Sequence, residues 1–92
     1  MTAEPVAGFE DLLQANAEYA ALFQDGGFDG IAKKGVLVLT CMDSRIEPLK
    51  MLGLHLGDAK ILRTPGGRIT ADAMIGCILA VHLLNVDRIM LV

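Results

Sequence analysis

Two short stretches of this chain carry side chains that can do chemistry. The first is Cys41-Met42-Asp43-Ser44-Arg45, where a thiol, a carboxylate and a guanidinium stand at alternate positions directly after an apolar run. The second is Arg63-Thr64-Pro65-Gly66-Gly67-Arg68, whose two glycines let the backbone approach closely and turn its amides toward a small anion. A cysteine thiolate is a soft ligand that suits zinc, and a carboxylate fixed beside an arginine forms a bidentate pair that keeps its orientation. Zinc lowers the pKa of bound water to about 7, so that hydroxide exists at neutral pH to attack an electrophilic carbon, and an arginine-held carboxylate would orient it. The same residue types have plainer uses: a cysteine after a strand as a small buried hydrophobe, an Asp-x-Arg as a loop salt bridge. A third use of Cys41 is as the nucleophile of a phosphatase or sulfurtransferase. Phosphatase loops of that type place arginine six positions after the cysteine, where this chain has Glu47, and an acid there would repel the phosphate.

Both stretches need a framework to bring them together. Gly35 to Thr40 is a continuous apolar run rich in β-branched residues, which predicts a strand buried on both faces of a parallel sheet with Cys41 at its carboxyl end. Lys60 to Thr64 predicts a second strand, broken by Pro65-Gly66-Gly67, and Arg88 to Val92 a third. Between them, Pro48 opens a short helix through Leu52, which Gly53 ends, and Thr70 caps a helix that carries Asp72 in its first turn and runs through Leu84 to a left-handed stop at Asn85. Upstream, Phe9, Leu12, Leu13, Ala17, Ala20 and Phe23 recur at helical spacing, so Phe9 to Phe23 reads as an amphipathic helix of the core or of a subunit interface, ended at Asp25-Gly26-Gly27. The alternation of strand and helix argues for an α/β fold with a parallel sheet. In such sheets ligands bind beyond the carboxyl ends of the strands, where both reactive stretches fall.

Composition narrows the partners. With 92 residues the chain is one domain or less, and at 53% hydrophobic it is too apolar for disorder. A chain this short buries only about 60–65% of its unfolded surface, so the apolar surplus asks for further surface to cover it. No apolar run approaches the ~18–20 residues that span a bilayer. Met1 to Gly8 carries no basic residue and lacks a secretory pattern, which gives a cytoplasmic reading with no membrane partner. Eight basic residues against eleven acidic ones give a net charge of -3, and the basic ones are scattered, which argues against nucleic acid. Cys41 and Cys77 are thiols or ligands in such a compartment, not a disulfide. Cys77 reads as core. His82 follows it five positions later, about 500° around a helix, so the two share no face. His55 reads as a solvent-facing loop residue.

Taken in order, Val38-Leu39-Thr40-Cys41-Met42-Asp43-Ser44-Arg45, Met51-Leu52-Gly53, Gly57-Asp58-Ala59, Ile61-Leu62-Arg63 and Gly66-Gly67-Arg68-Ile69-Thr70 resemble the N-terminal part of the β-class carbonic anhydrases. The likeness runs from about residue 9 to residue 92. It implies a parallel β-sheet with flanking helices, with a helical arm over residues 1–34 and a βαβαβ core over 35–92 of a single domain. It implies that Cys41 is a ligand of Zn2+, that Asp43 and Arg45 form a catalytic dyad, and that Asp43 can take the metal as a fourth ligand in the closed state that some members of the family adopt. The implied activity is reversible hydration of carbon dioxide to bicarbonate and a proton, or hydrolysis of an analogue such as carbonyl sulfide or carbon disulfide. The implied assembly is a homodimer or higher homo-oligomer with the N-terminal helix at the interface. Two departures stand out. Where the family carries Arg-Asn-Ala-Gly, this chain has Arg63-Thr64-Pro65-Gly66, which removes a backbone donor. The family's His-x-x-Cys motif, placed after the strand that here ends at Val92, has no counterpart in these residues. Two of three protein zinc ligands are therefore absent, which makes the chain by itself an inactive fragment or an oligomerisation module in expectation.

Overall fold

The computed structural model describes residues 8–24 and 26–92; the readings placed on the N-terminal residues before Gly8 and on Asp25 lie outside them. The organising element is β1 (Val36–Cys41), the middle strand of a parallel sheet in the order β2-β1-β3, with β2 (Ala59–Thr64) on one side and β3 (Arg88–Leu91) on the other. A middle strand of a parallel sheet meets apolar matter on both faces, which is why Val36 to Thr40 is apolar without alternation and buried throughout. The strand starts one residue later than the sequence suggests. Gly35 has φ +64, and a Cβ there would lie 2.8 Å from Asp87 Oδ1. At the other end the ladder runs on through Cys41, which pairs with Thr64, so the thiol sits on the last strand residue.

Helix α3 (Ala71–Leu83) covers one face of β1 and β2. Thr70 caps it as anticipated, its side chain accepting a hydrogen bond from the Ala73 amide at 3.2 Å. Ala73, Cys77 and Ala80 form the buried stripe and pack with Leu37, Leu39, Ala32 and Val86, flanked by Leu62 and Leu84. These small side chains let the helix lie close to the sheet. Cys77 is thus a core residue. After α3, Asn85 takes φ +68 and its side chain donates to the Ala32 carbonyl at 2.9 Å, tying the helix end back to the segment before β1. The short α2 (Pro48–Met51) begins on its proline.

The first helix, α1 (Glu10–Leu22), departs from the core alternative. It buries no residue, and Phe9, Leu12, Leu13, Tyr19, Leu22 and Phe23 on and beside it are exposed. Its apolar side is not buried against any other element among the described residues. The outer surface of α3, with Met74, Ile75, Ile78, Leu79 and Leu83, and all of β3 are exposed as well. Among the described residues no helix is long and apolar enough to cross a membrane.

Thr40 is fully buried, yet its Oγ1 has no hydrogen-bond partner among the described residues. A buried hydroxyl without a partner forfeits its hydration and gains nothing in exchange. Thr40→Val should therefore raise stability by about 1 kcal/mol, seen as a higher urea midpoint at unchanged slope. A lower midpoint would show that the hydroxyl is satisfied.

Candidate functional site

The site grows from the carboxyl end of β1. Cys41 is partly exposed there, as a free thiol. Two residues on, the chain turns: the Asp43 carbonyl accepts from the Ile46 amide at 3.0 Å, and Asp43 Oδ1 accepts from the Arg45 amide at 2.8 Å. An aspartate opening a turn by accepting from the amide two residues later is a local preference of that side chain. The turn leaves the guanidinium facing the same carboxylate. Arg45 Nε donates to Oδ1 at 3.0 Å and Nη2 to Oδ2 at 2.7 Å, a two-pronged pair.

This pairing sets the electrostatics. The Arg45 side chain, and after it the Arg45 amide, hold the Asp43 carboxyl below its ordinary 3.8 against a smaller opposing effect of burial; the weakest contribution is a further pull from the Arg63 charge. Asp43 in turn raises Arg45 further above neutrality. The Asp43 side chain is 30% exposed and that of Arg45 88%. Solvent screens such a pair, so its consequence is orientation more than stability.

The end of β2 supports the turn from beside it. Arg63 Nε donates to the Cys41 carbonyl at 3.0 Å and Nη2 to the Asp43 carbonyl at 2.6 Å, while the Met42 amide donates to the Thr64 carbonyl at 3.1 Å. Sequence reasoning singled out the stretch after Ile61-Leu62 for its glycine amides and missed this role of Arg63. The missing information was register: Arg63 pairs with Thr40, which brings its side chain within reach of the turn. Beyond β2, the Thr64 hydroxyl donates to the Arg68 carbonyl at 2.7 Å across the turn of Pro65–Gly67. Gly67 has φ +68, and a Cβ there would stand 3.1 Å from the Val92 carbonyl and 3.4 Å from the Cys41 amide. Glycine at this position lets the ends of all three strands converge. The Val92 amide donates to the Leu39 carbonyl at 2.9 Å, so the chain after β3 emerges beside Cys41.

The structure thus brings Cys41, Asp43, Arg45, Arg63 and Gly67 to one place. It leaves His82 exposed on α3 and His55 exposed in the loop before β2, where its Nδ1 lies 3.7 Å from Asp58 Oδ2. As a test for zinc, the donor set is right in kind and short in number. Cys41 fits a ligand position. Both Asp43 oxygens accept from Arg45, and no group of three His, Cys, Asp or Glu side chains converges among the described residues. These residues alone do not make up a zinc centre, which takes three protein ligands or more.

Residues 36–92 match a family model described as carbonic anhydrase. Beta-carbonic anhydrase 1 of Mycobacterium tuberculosis is 30% identical over 82 residues, 89% of this chain and 50% of that protein. The crystal structure of a carbonic anhydrase from Streptococcus mutans superposes with a TM-score of 0.82 at 34% identity, covering 97% of this chain and 51% of the other. A carbon disulfide hydrolase of Acidithiobacillus thiooxidans is 33% identical over 72 residues, 72% of this chain and 33% of its own length. The chain spans half or less of the length of these curated relatives.

The electrostatics give a direct expectation. A carboxyl held below 3.8 in the folded chain stabilises the fold above that pH, and the contribution is lost as pH falls through the lower folded value. Carbon-detected NMR should find Asp43 titrating below 3.8, and Arg45→Gln should move it back up. An Asp43 midpoint indifferent to Arg45 would remove the pair as its cause.

Proposed function

The chain belongs to the β-class carbonic anhydrase family, and on that premise we propose that it contributes to a zinc-dependent site for reversible hydration of carbon dioxide to bicarbonate and a proton. The observation that carries this reading is the strand-end turn in which the Cys41 thiol and the Asp43–Arg45 pair stand together. Cys41 would hold the metal, and the other protein donors come from residues outside this set. When bound, zinc supplies hydroxide at neutral pH. Asp43, a carboxylate whose pKa Arg45 lowers further, is a hydrogen-bond acceptor throughout the neutral range and would orient the attacking group through its proton. Arg45 keeps that acceptor in one rotamer. As a fourth metal ligand Asp43 would have to turn away from at least part of its two-pronged pairing with Arg45, so full pairing and ligation would compete for the same side chain. The arrangement around the turn suits other small, linear electrophiles of the same carbon oxidation state, and the similarity to a carbon disulfide hydrolase supports hydrolysis of carbon disulfide or carbonyl sulfide as a second reading.

The reading includes assembly as a homodimer or larger homo-oligomer. Support comes from the apolar residues of α1, which are left exposed among the described residues, and from the exposed β3. Each large apolar side chain left in water forgoes about 1.5–3 kcal/mol, and a domain of this size has only about 5–15 kcal/mol in all.

Three outcomes follow. The 92-residue chain should bind zinc weakly, with no sub-micromolar affinity that Cys41→Ser abolishes. In a protein with the complete donor set, Arg45→Ala should keep its zinc and lose about 10–100-fold in carbon dioxide turnover by stopped flow. Full turnover in that variant would sink the role given to the dyad. Sedimentation of the isolated chain at micromolar concentration should show dimers, larger oligomers or aggregation, and a monodisperse, cooperatively folding monomer would contradict the assembly proposed.

A further inference from the structure

The dyad fixes the side chain of Asp43, but a side chain is only as well placed as its peptide. The Cys41–Met42 and Asp43–Ser44 peptides are held from the neighbouring strand. One guanidinium, that of Arg63, donates to the carbonyls of Cys41 and Asp43 at 3.0 and 2.6 Å. Hydrogen bonds from a charged donor are roughly twice as strong as neutral ones, and a planar fork fixes the angle between its two acceptors as well as their distance. The Asp43 carbonyl accepts from the Ile46 amide as well, so one oxygen joins the turn to the brace. Arg63 stands in the β1–β2 ladder opposite Thr40 and not in a loop, which gives the brace a rigid base.

We propose that Arg63 is a positioning residue of the site, setting the Cys41 thiol and the Asp43 carboxylate relative to each other through their backbone carbonyls. This rests on the functional reading above. Arg63 directs its hydrogen bonds to the backbone carbonyls and none to the thiol or the carboxylate. Its work is on the peptides that carry them. The brace needs the fork: the single ammonium of lysine keeps the charge but is a point donor on a flexible stem, unable to reproduce two fixed directions.

The test uses Arg63→Gln and Arg63→Lys in the zinc-loaded protein with its complete donor set. Amide hydrogen exchange at Arg45 and Ile46 should accelerate about tenfold or more in the glutamine variant, while Leu37 and Leu39 in β1 keep their protection. The kcat for carbon dioxide hydration should fall about 10–100-fold with KM and zinc content unchanged, and lysine should restore only part of it. Faster exchange with kcat unchanged overturns the proposal, as does a loss of kcat that comes with lost protection in β1, because then Arg63 serves the fold alone. Full rescue by lysine also overturns it, since charge would then suffice. A parent protein without hydration activity defeats the functional reading, and the exchange at Arg45 and Ile46 then still decides whether the brace exists.

Discussion

The site depends on β1 being the middle strand. A parallel strand hydrogen-bonded on both sides and buried on both faces has no freedom to slide, because a shift by one residue would exchange its two faces against differently shaped neighbours. Here the ladder on the β2 side continues to the Cys41–Thr64 pair, so the thiol inherits the rigidity of the sheet. Everything that follows in the chain is free to turn. The change from ladder to turn occurs between Cys41 and Asp43, and it is spanned by Met42, whose amide still pairs with Thr64 while its side chain is exposed.

Within the turn, the physics is of short-range hydrogen bonding more than of charge. Asp43 and Arg45 are open to water, where an ion pair contributes little to stability, so their pairing is better understood as selecting one rotamer of each. The selection begins with the backbone. The Arg45 amide on Asp43 Oδ1 fixes the carboxylate plane before the guanidinium reaches it, and the spacing of two residues is the one at which a turn allows both contacts. Replacing either residue by its charge equivalent would alter the geometry at once, because glutamate is a methylene too long for the turn and lysine cannot fork.

Much of this was legible in the sequence, and for identifiable reasons. The short, β-branched apolar run before Cys41 suits a strand covered on both faces, and Thr70, Asn85 and Pro48 each do what their side chains do in most proteins: cap, stop and start a helix. The Asp43–Arg45 pair could be anticipated because it is local. Arg63 could not, since its role depends on which strand neighbours β1 and in what register, and neither is written in the spacing of residues along one chain. The same limit applied to α1. Its helical periodicity was plain, but periodicity says that one side is apolar and is silent on what that side meets.

The exposed apolar surface has a consequence for the site itself. β3 pairs with β1 only as far as Leu91, and Val92 then passes beside Gly67 and the Cys41 amide. Ile89, Met90 and Leu91 are exposed along this strand, so the edge that borders the site is also the least covered part of the sheet. Local opening is easiest where few apolar contacts would be broken, and β3 is such a place. Fraying there would release the Val92 amide from Leu39 and loosen the notch that Gly67 fills, while the β1–β2 ladder and the Arg63 brace stay intact. Cover over β3, from whatever source, therefore acts on the chemistry indirectly: it fixes the third wall of the site, and the other two are fixed already by the sheet.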